Sequence, residues 1–257
     1  MDWLIFLGTG DSMGVPRTYC DCDVCQEARS TCKNARLRSS VMLQTEEGER
    51  LLIDCGPDWR AQMERFSERI ISRTLLTHPH HDHIGGLPDL ADVARWTERK
   101  IDVYAPEWVL KVVRRQYPWT SKSLRYIPFD EYLVVAGWRI KGWTVDHGRN
   151  GESTAYRFER DGRSWVYCPD SIHMSEAQWQ PMKGVDLLVL GTSFWHEQAD
   201  VHKRSIYDVQ EALSLIEAVS PRKVWLTHLS HGIDVVYRQS QLPDGVHFAA
   251  DGTIVRV

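Results

Sequence analysis

The chain has 257 residues, 26% charged and 42% hydrophobic, with a formal net charge of −4. This is the balance of a globular protein with a sizeable core, and its sign argues against a broad basic surface for long nucleic acids. No apolar run reaches the length of a membrane span, and Met1–Leu7 lacks both the basic lead-in and the apolar length of a signal peptide.

In chain order, β-branched and aromatic runs bounded by turn residues predict strands at Trp3–Leu7, Val41–Gln44 and Leu51–Asp54. A helix over Asp58–Ser67, a strand over Arg73–Thr77, a helix over Leu87–Arg99, a strand over Ile101–Tyr104 and a helix over Pro106–Arg115 follow. The second half predicts strands at Tyr132–Val135, Trp138–Val145, Ala155–Glu159, Ser164–Cys168, Leu187–Leu190, Val224–Thr227 and Thr253–Val257. Asp161-Gly162 reads as a two-residue hairpin turn. A helix is expected over Ser205–Ala218, where Val209, Ala212, Leu213 and Ile216 share a face. No linker or repeat interrupts the chain, so residues 1–257 are expected to form one α/β domain, two sheets face to face with helices outside.

The run Thr77-His78-Pro79-His80-His81-Asp82-His83 carries the chemistry. Two imidazoles one residue apart can grip one cation, and the following Asp-His pair can turn towards a second. Four further candidates stand where an apolar strand ends: Asp54, His147, Asp170 and His228. Such nitrogen and oxygen sets suit zinc, manganese or iron, and paired cations suit in-line hydrolysis of esters and phosphodiesters. Six cysteines without an export signal read as reduced thiols or ligands, placing the protein in the cytoplasm. Cys20, Cys22 and Cys25 have the spacing of a zinc knuckle, and His231, three residues past His228, is its expected fourth ligand.

From Gly8-Thr9-Gly10 to Asp251-Gly252 the chain resembles the metallo-β-lactamase fold superfamily in its phosphodiesterase-like branch. The resemblance implies an αββα four-layer sandwich. It also implies a first metal on His78, His80 and His147, and a second on Asp82, His83 and His228. Asp170 would bridge the two, and Asp54 would support the ligand loop by hydrogen bonding. Gly14-Val15-Pro16, the Cys-x-Cys-x-x-Cys loop and Thr227-His228-Leu229-Ser230-His231 narrow it to the PhnP-type phosphoribosyl cyclic phosphate phosphodiesterases. That group acts in phosphonate breakdown, favours manganese at the dinuclear site, carries a structural zinc on the Cys₃His set and suggests a homodimer.

The expected reaction is hydrolysis of a small cyclic phosphodiester, such as 5-phosphoribosyl 1,2-cyclic phosphate, by a hydroxide bridging two divalent metals, with Asp82 aligning it. His202 is either the acid that protonates the leaving alkoxide or an exposed loop histidine. Arg36, Arg38, Lys203 and Arg204 are candidates for a second phosphate. Cys168 is either a core thiol or a neighbour of the metals, and Trp195 could line a pocket. The rival readings are a tRNA 3′-end nuclease, a thiolesterase or lactonase, a redox di-iron protein, and a non-catalytic binder of quinone-cofactor biosynthesis. Against them stand, in turn, the net charge, the knuckle, His80 in place of a glutamate, and the complete ligand set.

Overall fold

The protein is represented by a computed structural model describing residues 1–67 and 70–257. Strands β1 (Trp3–Gly8), β2 (Ser40–Gln44), β3 (Arg50–Ile53), β4 (Arg73–Leu75), β5 (Ile101–Ala105) and β6 (Leu124–Pro128) lie in the first half. The second half supplies β7 (Tyr132–Val135), β8 (Trp138–Asp146), β9 (Glu152–Arg160), β10 (Arg163–Cys168), β11 (Leu187–Gly191), β12 (Val224–Thr227) and β13 (Val246–Phe248). The last strand, β14 (Ile254–Arg256), returns to the first sheet. Among the described residues the strands form two seven-stranded sheets, ordered β14-β1-β2-β3-β4-β5-β6 and β13-β12-β11-β10-β9-β8-β7. Each sheet is antiparallel at one end and parallel at the other.

The strands read as nearly unbroken apolar runs because both faces of each sheet are covered. In β2 and β3, Val41, Leu43, Leu51 and Ile53 join the core between the sheets, while Met42 and Leu52 face the outer helices. In β10 and β11, Trp165, Tyr167, Leu187 and Val189 point inward, and Val166, Cys168, Leu188 and Leu190 outward. The helices are α1 (Asp23–Ser30), α2 (Trp59–Arg65), α3 (His81–Ile84), α4 (Leu87–Trp96), α5 (Glu107–Gln116), α6 (Glu176–Trp179), α7 (Val209–Val219) and α8 (Val235–Arg238). Helices α2, α4 and α5 cover the first sheet, and α7 covers the second. This is the expected αββα sandwich. No helix among the described residues is long and apolar enough to cross a membrane.

The Asp161-Gly162 turn forms as expected, both residues taking positive φ (51° and 77°), which suits the twist of a hairpin. Other elements differ from expectation. β6 and β13 were not anticipated, and the cysteine loop runs into α1, with Cys25 in its first turn. Helix α7 begins at Val209 rather than Ser205, because Asp208 caps it reciprocally with Glu211 and the preceding residues bond elsewhere.

Candidate metal centre

The strand ends β3, β4, β8, β10 and β12 converge on one edge of the sandwich, so rigid backbone delivers each polar side chain. His78 and His80 leave the loop after β4. Asp82 and His83 sit on the short α3 that follows. The ligand atoms of His78, His80, His147 and Asp170 lie within 4.8 Å of one another, as do those of Asp82, His83, Asp170 and His228. Asp170 belongs to both groups. Its Oδ2 lies 3.0 Å from His78 Nε2, 3.2 Å from His83 Nε2 and 3.6 Å from His147 Nε2, and its Oδ1 lies 3.2 Å from His228 Nε2. All these residues are buried except His80, which is half-buried.

A relay of hydrogen bonds turns the rings. Asp54, fully buried, accepts from the Thr77 N–H at 2.8 Å and from the Thr77 hydroxyl at 3.0 Å. With its proton given to Asp54, the Thr77 oxygen accepts from His78 Nδ1 at 2.9 Å. His83 Nδ1 donates to Asp54 at 2.7 Å, and His147 Nδ1 donates to the Ser205 carbonyl at 2.7 Å. Each bond sets the rotation of its ring and turns Nε2 towards the cluster, where His78 Nε2 also meets His80 Nδ1 at 2.9 Å.

The charges follow from this packing. Burial, with His83 beside it, pushes His78 down to about 3. Burial opposes the charged form of His83, yet Asp82, Asp54 and Asp170 lift it well above the ordinary imidazole value. Burial likewise opposes a charged Asp170, but His228 and His83 hold it well below the carboxylate range. His83 Nε2 and Asp170 Oδ1 are buried without a hydrogen-bond partner. Buried polar atoms left unpaired while converging on common points are what a cation would satisfy, so the residues fit a pair of divalent ions.

A second cluster lies outside this one. Cys20, Cys22, Cys25 and His231 bring their ligand atoms within 4.8 Å of one another. His231 Nδ1 is 3.5 Å from Cys22 Sγ and 3.6 Å from Cys25 Sγ. Three thiols and one imidazole fit a closed tetrahedral zinc site.

A family model described as the beta-lactamase superfamily domain matches residues 49–229, a span that contains every residue of the dinuclear cluster. The chain belongs to the beta-lactamase superfamily. Within the superfamily it resembles a diphosphatase of the PhnP family, whose crystal structure superposes with a TM-score of 0.89 at 30% identity, covering 100% of this chain and 98% of that one. Zinc-bound PqqB from Methylobacterium extorquens has the same fold, with a TM-score of 0.82 at 19% identity over 99% and 100% of the two chains. An octanoyltransferase of Porphyromonas gingivalis (strain ATCC BAA-308 / W83) is 29% identical over 259 residues, 96% of this chain. The chain spans 50% of that relative's length.

Other sequence candidates stand differently in this superfamily member. His202 is exposed on the turn Val201–Lys203, which packs against Gly148–Asn150 just after His147. Arg36 and Arg204 were considered for a second phosphate, but both are interior. Arg36 donates to Asn34 and the Ile233 carbonyl, and Arg204 is held by Glu197 and Glu211. Arg38 pairs with Asp58 at 2.8 Å, and Lys203 is exposed. Cys168 is a core thiol 3.3 Å from the Ser171 hydroxyl, and burial raises it to about 12. Trp195 packs under the Arg238 guanidinium, 4.6 Å from its ring centre. Sequence reasoning missed Thr77, Ser153 (Oγ 3.4 Å from His78 Nδ1) and the Ser205 carbonyl. The position of Thr77 beside His78 was a usable signal, whereas a backbone acceptor leaves none.

Proposed function

We propose that this chain is a metal-dependent hydrolase, one domain over residues 1–257, that opens a small phosphodiester such as 5-phosphoribosyl 1,2-cyclic phosphate. The observation that carries this reading is Asp170, which belongs to both four-residue groups, its Oδ2 facing His78, His83 and His147 and its Oδ1 facing His228. His78, His80, His147 and Asp170 would hold one cation, and Asp82, His83, His228 and Asp170 the other. Two divalent ions, manganese or zinc, would supply Lewis acidity towards the phosphoryl oxygens and water activated at neutral pH. Asp82, with Oδ2 3.3 Å from His83 and 3.4 Å from His228, orients the attacking water by hydrogen bonding. Asp54 holds His83 and, through Thr77, His78 in register. His202, on the turn beside His147, donates the proton to the leaving alkoxide. Cys20, Cys22, Cys25 and His231 carry a structural zinc. The enzyme works in the cytoplasm as a homodimer.

The phosphodiester class rests on the likeness to the PhnP-family diphosphatase and on the N/O ligand set. A polynucleotide substrate fits poorly with a net charge of −4. The test is a hydrolysis screen of manganese-loaded protein against bis-p-nitrophenyl phosphate, 2′,3′-cyclic nucleotides, phosphoribosyl cyclic phosphate, a thiolester and a lactone. Turnover of the phosphodiesters is expected. Turnover confined to the thiolester or lactone would sink the proposal.

A further inference from the structure

His147 is oriented by a segment far from it in sequence. Its Nδ1 meets the carbonyl of Ser205, in the run 204–208 that precedes α7 and lies outside any regular element except the Asp208 cap. This run passes close over the metal edge. The Arg149 N–H donates to the Arg204 carbonyl at 3.2 Å, the Tyr207 N–H to Ser171 at 3.0 Å, and the Ser193 N–H to Tyr207 at 3.0 Å. Gly148, at φ +56°, allows that approach: a Cβ there would stand 2.3 Å from the Arg204 oxygen.

The anchor of the run is Arg204 itself, 4% exposed. Its Nη1 and Nη2 donate to the two oxygens of Glu211 at 2.9 and 2.5 Å, and its Nε donates to Glu197 at 3.2 Å. Nη2 also lies 3.7 Å from Asp208. The planar fork makes a two-pronged bond to a helix that is itself capped and packed on the second sheet, so the strap inherits the rigidity of α7.

We propose that Arg204 is a positioning residue for the dinuclear centre. By clamping the strap to Glu211 and Glu197 it keeps the Ser205 carbonyl on His147 Nδ1–H, so that the ring holds this tautomer and presents Nε2 to one cation. Released from the clamp, the carbonyl drifts, and the ring loses the bond that sets both its rotation and its tautomer. Loss of such an outer partner typically weakens metal binding by about 10–100-fold. The inference rests on the reading of the cluster as a two-metal site.

The test is titration of metal-depleted full-length protein with Co²⁺, followed by its visible absorption, and with Mn²⁺, followed by the resonance of the free ion. Wild type, Arg204→Met and Arg204→Lys are compared. In Arg204→Met, one of the two active-site equivalents should bind about tenfold or more weakly, while the other equivalent and the cysteine-bound zinc stay as in wild type. Half-maximal activity should need correspondingly more metal, with kcat restored at saturation. Arg204→Lys keeps the charge but not the fork and should fall between the two; it decides the matter if Arg204→Met does not fold. A folded variant that binds both equivalents with wild-type affinity overturns the inference alone. Wild-type protein that takes up no pair of divalent ions overturns the two-metal reading with it.

Discussion

Asp54 and His228 are non-glycine residues in the left-handed region, at φ 63° and 58°, and both sit at the metal edge. Backbone in that region costs energy that the surrounding packing must offset, and it aims each side chain inward where a relaxed strand end would not. Asp54 gathers bonds from Thr77 and His83, so Asp54→Asn, which adds a donor where only acceptors fit, should weaken metal binding by about 10–100-fold in the same titrations. Asp82→Ala removes a proposed ligand and water-orienting group, and should lower kcat/KM by about a thousandfold or more while circular dichroism stays native. The side chains of the cluster were legible because ligand spacing is written in residue letters. The relay through the Thr77 hydroxyl and the grip of the Ser205 carbonyl were not, since hydrogen-bond direction and backbone atoms have no letter. Arg36 and Arg204, two of the four candidate phosphate cations, show the same limit: charge is visible in sequence, its burial is not.

At the level of elements, long strands with two buried faces were recognisable by their unbroken apolar content. β13 has only three residues, and β6 alternates exposed and buried positions too irregularly to stand out. The start of α7 was misplaced because apolar periodicity locates a helix face and not its cap. Asp208→Ala should therefore cost about 1 kcal/mol by chemical denaturation, more if the Arg204 contacts go with it. Cys22 stands at the N-cap of α1 and faces His231. Cys22→Ser should release the zinc proposed there and lower the melting temperature by several degrees, leaving the dinuclear pair loaded. A Cys22→Ser variant as stable and metal-replete as wild type would remove the case for zinc in the knuckle.

On the scale of the molecule, the described residues form three apolar cores that stack across the layers, and the central one joins both sheets. Phe158 is fully buried there, its ring parallel to Trp165 with centroids 3.8 Å apart. Phe158→Ala should cost about 3–5 kcal/mol, read from equilibrium unfolding in urea. Elemental analysis should find three metals per chain, one for each ligand group when Asp170 is shared, with the cysteine-bound ion the last to leave under mild chelation. The layered architecture was legible from the alternation of strands and helices. The sharing of Asp170 followed only from resemblance, because it depends on how the two sheets face each other.

The donors of the paired cluster are scattered from His78 to His228, and each group draws on both sheets. A growing polypeptide on the ribosome can therefore complete the His78, His80, His147 and Asp170 group once β10 has docked, but the Asp82, His83, Asp170 and His228 group only after β12 has emerged. The second of the proposed ions would therefore find its full ligand set only when nearly the whole chain has folded.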